Sequence, residues 1–353
     1  MPTLFDPLKV GALTLPNRIV LAPLTRSRAH PDTRVPSDLA VEYYSQRAGA
    51  GLMITEATSV SPQGVGYAGT PGIWSDEQTQ GWKKITRAVH AKGGRILLQL
   101  WHVGRISDPL FLNGDLPVAP SAVRPKGHVS LVRPEKEYVT PRALETAEIP
   151  GIIAAYKKGA QNAKTAGFDG VEIHGANGYL LDQFLQDSTN QRSDAYGGTR
   201  EKRARLMLEV ADTVIDVWGA DRVGMHLAPR MDSHDMGDSD PLATFTYVGR
   251  ELGKRGLAFI CAREARKDDS IGPAIKEAFG GAYIANEGFD QASAERALAD
   301  GVADAVAFGK IFIANPDLPE RFAGHAPLNP YDAATFYSGG AKGYVDYPAL
   351  EPA

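Results

Sequence analysis

The sequence predicts an α/β fold of the TIM (β/α)8 barrel class, and three observations carry that expectation. Short apolar runs alternate with amphipathic stretches of helical length, with polar turns and glycines between them. Eight such runs occur, at 18–22, 52–57, 95–100, 170–174, 222–227, 257–261, 282–285 and 304–308, which is the number that closes a barrel. A chain of 353 residues with 43% hydrophobic content is long enough to bury such a core, so residues 1–353 are expected to form one domain.

Before the first run, residues 4–17 alternate in character around Gly11 and read as a hairpin that plugs the bottom of the barrel. Helices are expected over 76–92, 148–166, 200–218 and 290–300. Ser75 with Gln78 suits a capping box, and Gly93, Gly167, Gly219 and Gly301 stand where left-handed C-caps are wanted. After the third run, residues 102–145 are rich in Pro and Gly and too long for an ordinary βα loop. They lie on the side where barrel active sites form and are expected to cap the site.

Composition narrows the function. With 38 Lys and Arg against 42 Asp and Glu, the net charge of −4 leaves no basic surplus for nucleic acid or an anionic membrane. Cys261 is the only cysteine, which excludes an intrachain disulfide and a Cys-rich iron–sulfur or zinc site. No window approaches the roughly 18 apolar residues of a membrane span. The start MPTLFDP has no apolar signal core, so a cytoplasmic location is expected.

Barrel chemistry comes from the C-terminal ends of strands, here Thr25, Ala57, Gln99, Trp101, His174, His226, Arg263, Asn286, Gly309 and Lys310. This set has no carboxylate cluster and no metal spacing, so neither a bound metal nor a two-carboxylate glycosidase is expected. Its neutral hydrogen-bonding groups suit a polar aromatic cofactor that carries the hard chemistry. His174, Asn177 and Tyr179 crowd the exit of the fourth run. The first two can donate to a carbonyl or nitro oxygen, polarising a conjugated double bond toward hydride, and Tyr179 can protonate the α-carbon. An isolated H-x-x-N more often serves the turn itself; the surrounding strand ends favour the chemical role. Strand alternation puts Gln99 on the face of Trp101, Glu172 on that of His174 and Gly224 on that of His226. For Gln99 and Glu172 the competing role is a polar layer bonded within itself, and for Trp101 it is packing. Asn286, Gly309 and Lys310, after the last two runs, match the usual phosphate position of barrels.

The motifs resemble the Old Yellow Enzyme family of flavin reductases over essentially the whole chain. The resemblance rests on LFDPL at 4–8, APLTR at 22–26, EYY at 42–44, QLW at 99–101 and GFDGVEIHGANGY at 167–179, followed by DSTN at 187–190, YGG at 196–198, NPDL at 315–318 and GYVDYP at 343–348. Within the family the likeness points to the bacterial xenobiotic reductases, the B type above all. The resemblance implies bound FMN, reduction by NADPH or NADH, and ping-pong hydride transfer to activated alkenes, nitrate esters or nitroaromatics. It places Pro23 and Thr25 against the flavin, Ala57 and Gln99 at the ring's polar edge, and Gly309 with Lys310 at the phosphate. His174 and Asn177 would hold the substrate oxygen, Tyr179 would protonate, and Tyr337 with the tail would cover the site. Two departures bear on the cofactor. His226 stands where many relatives have Arg, so a guaranteed charge near flavin N1 and O2 is replaced by an imidazole. Lys310 replaces a frequent Arg, giving a point charge in place of a bidentate fork. Lys202, where Asn is usual, has no functional explanation. Two other readings remain open at this point: a barrel lyase using Lys310 as a Schiff base, and a non-catalytic flavin-binding protein.

Overall fold

The computed structural model describes residues 1–230, 233–265, 268–337 and 339–351. Its centre is a closed barrel of eight parallel strands: β1 (Ile19–Leu21), β2 (Leu52–Ile54), β3 (Ile96–Trp101), β4 (Gly170–His174), β5 (Val223–Leu227), β6 (Phe259–Arg263), β7 (Ala282–Asn286) and β8 (Ala305–Phe308). Each strand pairs with the next in sequence and β8 pairs with β1, so every strand has two neighbours and no edge is left open. The outer ring comprises α1 (Asp38–Gln46), α2 (Asp76–Ala91), α3 (Ile149–Ala166), α4 (Arg200–Trp218), α5 (Pro241–Lys254), α6 (Gly272–Phe279), α7 (Gln291–Ala299) and α8 (Leu318–Ala323).

All eight apolar runs are strands, with β6 reaching two residues beyond its run. The four expected helices are α2, α3, α4 and α7, and the Ser75–Gln78 capping box starts α2. The helices α1, α5, α6 and α8, with 9, 14, 8 and 6 residues, are not among those expected. One cap differs from expectation. Gly167 closes α3 in the left-handed region, whereas Gly219 has ψ 144° and leads the chain outward.

Alternation along the strands sorts side chains between two cores. Outward residues such as Leu98, Val171, Ile173, Met225 and Ile260 pack under the helices. Inward residues Val20, Leu52, Leu97, Phe259, Ile284 and Ala305 fill the lower barrel. The strands Leu8–Val10 and Leu13–Leu15 form the expected hairpin, and Val10 and Leu15 join that lower cluster. Ala12 N donates to Asp221 O at 2.9 Å, just before β5, which fixes the hairpin at the end where the strands begin.

The segment 102–145 lies at the opposite end. Its Val129 and Tyr138 share an apolar cluster with Tyr67 and Trp101, and the stretch from His128 to Glu135 reaches the cavity described below. No helix among the described residues is long and apolar enough to cross a membrane.

Candidate active site

At the C-terminal ends of the strands lies a cavity of about 960 Å³, a size suited to a cofactor with room for a second small molecule. Of the expected residues, Pro23, Thr25, Asn177, Tyr179, His226, Arg263, Asn286, Gly309, Lys310 and Tyr337 line it. Ala57, Gln99, Trp101 and His174 stand behind that lining, at 5%, 1%, 1% and 4% exposure. Trp101 lies 5.5 Å from Tyr67, ring to ring, and meets the edge of Tyr179 at 5.0 Å. Lys310 is exposed at the rim, without the enclosing apolar wall that activates a Schiff-base lysine.

The upper barrel holds a polar layer built by neighbouring strands. In register, Gln99 faces Glu172 and His174 faces His226. Gln99 Nε2 donates to Glu172 Oε2 at 2.7 Å and lies 3.3 Å from His226 Nδ1, while Glu172 Oε2 lies 3.5 Å from the same nitrogen. Glu172 and Gln99 therefore orient the ring through Nδ1, and His226 Nε2 is buried without a partner. Glu172, His226 and Cys261 also bring one ligand-type atom each within 4.8 Å, which their sequence spacing does not reveal. Burial pushes the Cys261 thiol up, keeping it protonated and a poor metal ligand.

Above this layer the chain leaves β4 through a tight turn. Asn177 and Gly178 have φ values of 57° and 76°. At Gly178 a Cβ would come within 2.7 Å of Met236 Cγ and 2.9 Å of Ser233 O, so only glycine fits. Asp182 Oδ2 accepts from Gly178 N at 2.8 Å, and Gln183 Nε2 donates to Gly178 O at 2.7 Å. These two buried side chains lock the turn. Ala176 N donates to His174 Nδ1 at 3.3 Å, which leaves the ring proton on Nε2. Burial, with His226 and Arg263 nearby, drives His174 well below the usual imidazole range, so it is a neutral donor. Arg263 Nη1 donates to Asn177 Oδ1 at 3.2 Å, leaving the amide NH2 as the second donor. Burial raises Tyr179 above the usual phenol range, so its hydroxyl keeps its proton.

Sequence reasoning missed Tyr67 and His234. Tyr67 Oη lies 2.9 Å from Tyr179 Oη and 3.4 Å from His234 Nε2, and His234 Nδ1 lies 2.7 Å from Asn177 O. Neither residue ends a strand or belongs to a motif, so no one-dimensional signal marked them. Two buried arginines dock the tail. Arg26 donates to Phe336 O and Gly343 O at 3.1 and 2.8 Å, and Arg28 donates to Thr335 O and Gly340 O at 2.9 and 3.0 Å. Phe336 and Tyr337 are thereby held on the cavity wall.

Residues 3–329 match the NADH:flavin oxidoreductase / NADH oxidase family. A structure of morphinone reductase in complex with tetrahydroNAD superposes with a TM-score of 0.96 at 50% identity, covering 99% of this chain and 98% of that one. The old yellow enzyme homologue from Zymomonas mobilis gives a TM-score of 0.96 at 44% identity, covering 99% and 100%. The 12-oxophytodienoate reductase 1 of Oryza sativa subsp. japonica is 46% identical over 363 residues, 99% of this chain and 93% of that protein.

Proposed function

Because the chain belongs to the NADH:flavin oxidoreductase / NADH oxidase family, the Old Yellow Enzyme family, whose cofactors are FMN and a nicotinamide nucleotide, we propose that it is an ene-reductase of the xenobiotic reductase type. Its substrates in this reading are enones and maleimides, with nitrate esters and nitroaromatics as further acceptors. NADH or NADPH is the reductant, and the whole chain works as one FMN-binding unit in the cytoplasm, where a single buried Cys261 stays reduced.

FMN would be held by Pro23, Thr25, Ala57, Gln99 and His226 along the ring and by Asn286, Gly309 and Lys310 toward the phosphate. The donor set fits such a group, because the partnerless His226 Nε2 belongs to a ring on the cavity wall and calls for a polar ligand edge. Bound FMN supplies ping-pong hydride transfer, from a nicotinamide to N5 and from N5 to the β-carbon of the acceptor. The protein's part is to hold the acceptor and move a proton. His174 Nε2–H and Asn177 Nδ2–H donate to its carbonyl or nitro oxygen and stabilise the charge that grows there. Tyr179 donates its proton to the α-carbon. Trp101 and Tyr337 shape the space around the acceptor.

The observation that carries this reading is the donor orientation of His174 and Asn177, each set by a bond to its other polar atom. Two relatives named as reductases of carbonyl compounds, morphinone and 12-oxophytodienoate, are in keeping with it. The test is Asn177→Ala assayed with 2-cyclohexenone and with an acceptor that needs no carbonyl grip. The enone rate should fall far more than the other. Equal losses would remove the assigned role, and a protein that neither purifies yellow nor takes up FMN would overturn the whole reading.

A further inference from the structure

Two hydrogen bonds connect Tyr179 to the part-buried residue His234 through one hydroxyl: Tyr179 Oη to Tyr67 Oη at 2.9 Å, and Tyr67 Oη to His234 Nε2 at 3.4 Å. The far side of the imidazole is pinned, because His234 Nδ1 lies 2.7 Å from Asn177 O. A carbonyl oxygen only accepts, so Nδ1 carries a proton in every state. The neutral ring therefore presents a lone pair at Nε2, and the imidazolium presents an N–H there.

That difference sets the direction of the chain. With His234 neutral, Tyr67 donates to Nε2 and Tyr179 donates to Tyr67, so the Tyr179 proton points away from the acceptor. With His234 charged, Nε2–H donates to Tyr67 and Tyr67 donates to Tyr179, which frees the Tyr179 proton for the cavity. We infer that Tyr67 and His234 form a relay that feeds protons from solvent to Tyr179, with His234 as its solvent-facing member. This rests on Tyr179 being the proton donor. As the hydride reaches the β-carbon, the α-carbon's electron pair takes the Tyr179 proton. Tyr67 passes its proton to the tyrosinate, and His234 Nε2–H passes its proton to Tyr67. The ring is left neutral with Nδ1–H still on Asn177, and water re-protonates Nε2. One solvent proton ends on carbon.

The groups around His234 tune this supply. Arg105 Nη2 donates to the His234 carbonyl at 2.9 Å, and the charge of Arg263, at the end of β6, acts on the ring. Asp235 is engaged by Lys126 at 2.9 Å, and Tyr67, Tyr179 and His174 are further titratable neighbours among the described residues. Burial first, then the two arginines, hold the imidazole below its usual range, against the pull of the Asn177 carbonyl. Proton supply should therefore weaken as pH rises.

Two measurements test the relay. Ring 15N spectra of the purified protein should show His234 as the Nδ1–H tautomer, with a titration that moves in Tyr67→Phe; an Nε2–H tautomer overturns the relay. Enone-driven reoxidation followed against pH should speed up toward acid. In His234→Gln and Tyr67→Phe that slope should flatten and the rate should drop roughly 10-fold or more. If both variants keep the slope while Tyr179→Phe is slow, the relay is wrong and the Tyr179 role stands. If Tyr179→Phe keeps the parent rate, the donor assignment itself fails.

Discussion

Arg263 donates through Nη1 to Oδ1 of Asn177 at 3.2 Å. A guanidinium has only donors, so the atom it meets is the amide oxygen, and the NH2 is what Asn177 offers the cavity. Arg263 ends β6 and Asn177 follows β4, so two strands separated by β5 jointly orient one donor. Glu287 Oε2, after β7, anchors the other side of the guanidinium.

Arg263→Leu should therefore lower kcat/KM for 2-cyclohexenone by roughly 10- to 100-fold, the equivalent of losing a charged hydrogen bond of about 1.5–3 kcal/mol. Glu287→Gln, which keeps Arg263 in place, should cost less. Steady-state kinetics on both variants decide it, and an Arg263→Leu enzyme matching the parent would show that Asn177 needs no orienting partner.

Asp182→Ala removes the acceptor of Gly178 N and leaves that buried N–H unpaired, at a cost of about 1–3 kcal/mol. The turn carrying Asn177 and Tyr179 should then lose its fixed geometry. Lower urea midpoints together with slower enone turnover are expected, whereas Asp182→Asn, which retains an acceptor oxygen, should recover most of both. Full activity in Asp182→Ala would mean that Gln183 alone holds the turn.

Glu56 is buried beside the two arginines, and its Oε2 accepts from Arg26 N at 3.0 Å. Burial dominates and pushes its carboxyl up to about 7 from 4.5, although Arg26 and Arg28 pull the other way. A carboxyl raised in the folded state favours folding while protonated, and that advantage fades as pH climbs from the unfolded value through about 7. Relative to Glu56→Gln, the parent should lose on the order of 3 kcal/mol of stability over this window. Urea midpoints of both proteins at pH 5 and pH 8 provide the check; parallel shifts would contradict it.

Arg28 binds tail carbonyls, among them Thr335 O and Gly340 O, and lies 4.5 Å over the Tyr344 ring. Arg28→Ala should release the segment that carries Phe336 and Tyr337. Cleavage within 331–347 under limited proteolysis is expected to quicken, by roughly 10-fold for each 1.4 kcal/mol of local stability lost, together with weaker FMN retention. An unchanged cleavage pattern would assign the tail's anchorage to Arg26.

The candidate site was partly legible in the sequence. Ten of the expected residues line the cavity, because a strand end in a barrel is a position that alternation and motif can both mark. Ala57, Gln99, Trp101 and His174 are buried next to that lining rather than part of it. Tyr67, His234, Asp182 and Gln183 carried no signal. They act through partners outside their own strand pattern, and a self-bonded layer was expected only as the competing role of Gln99 and Glu172, without His226 as a member.

By itself the sequence determined the barrel, its hairpin plug and the residues that crown its strands. These follow from local rules: an apolar run of strand length, a two-residue alternation and a turn that needs glycine. Only the tertiary structure decided which atoms face one another. Tyr67 meets Tyr179 across 112 residues and His234 across 167, and Arg263 reaches Asn177 across 86. Whether an amide or an imidazole offers a donor or an acceptor depends on the group that holds its other side, and closure of the barrel is what brings that group there.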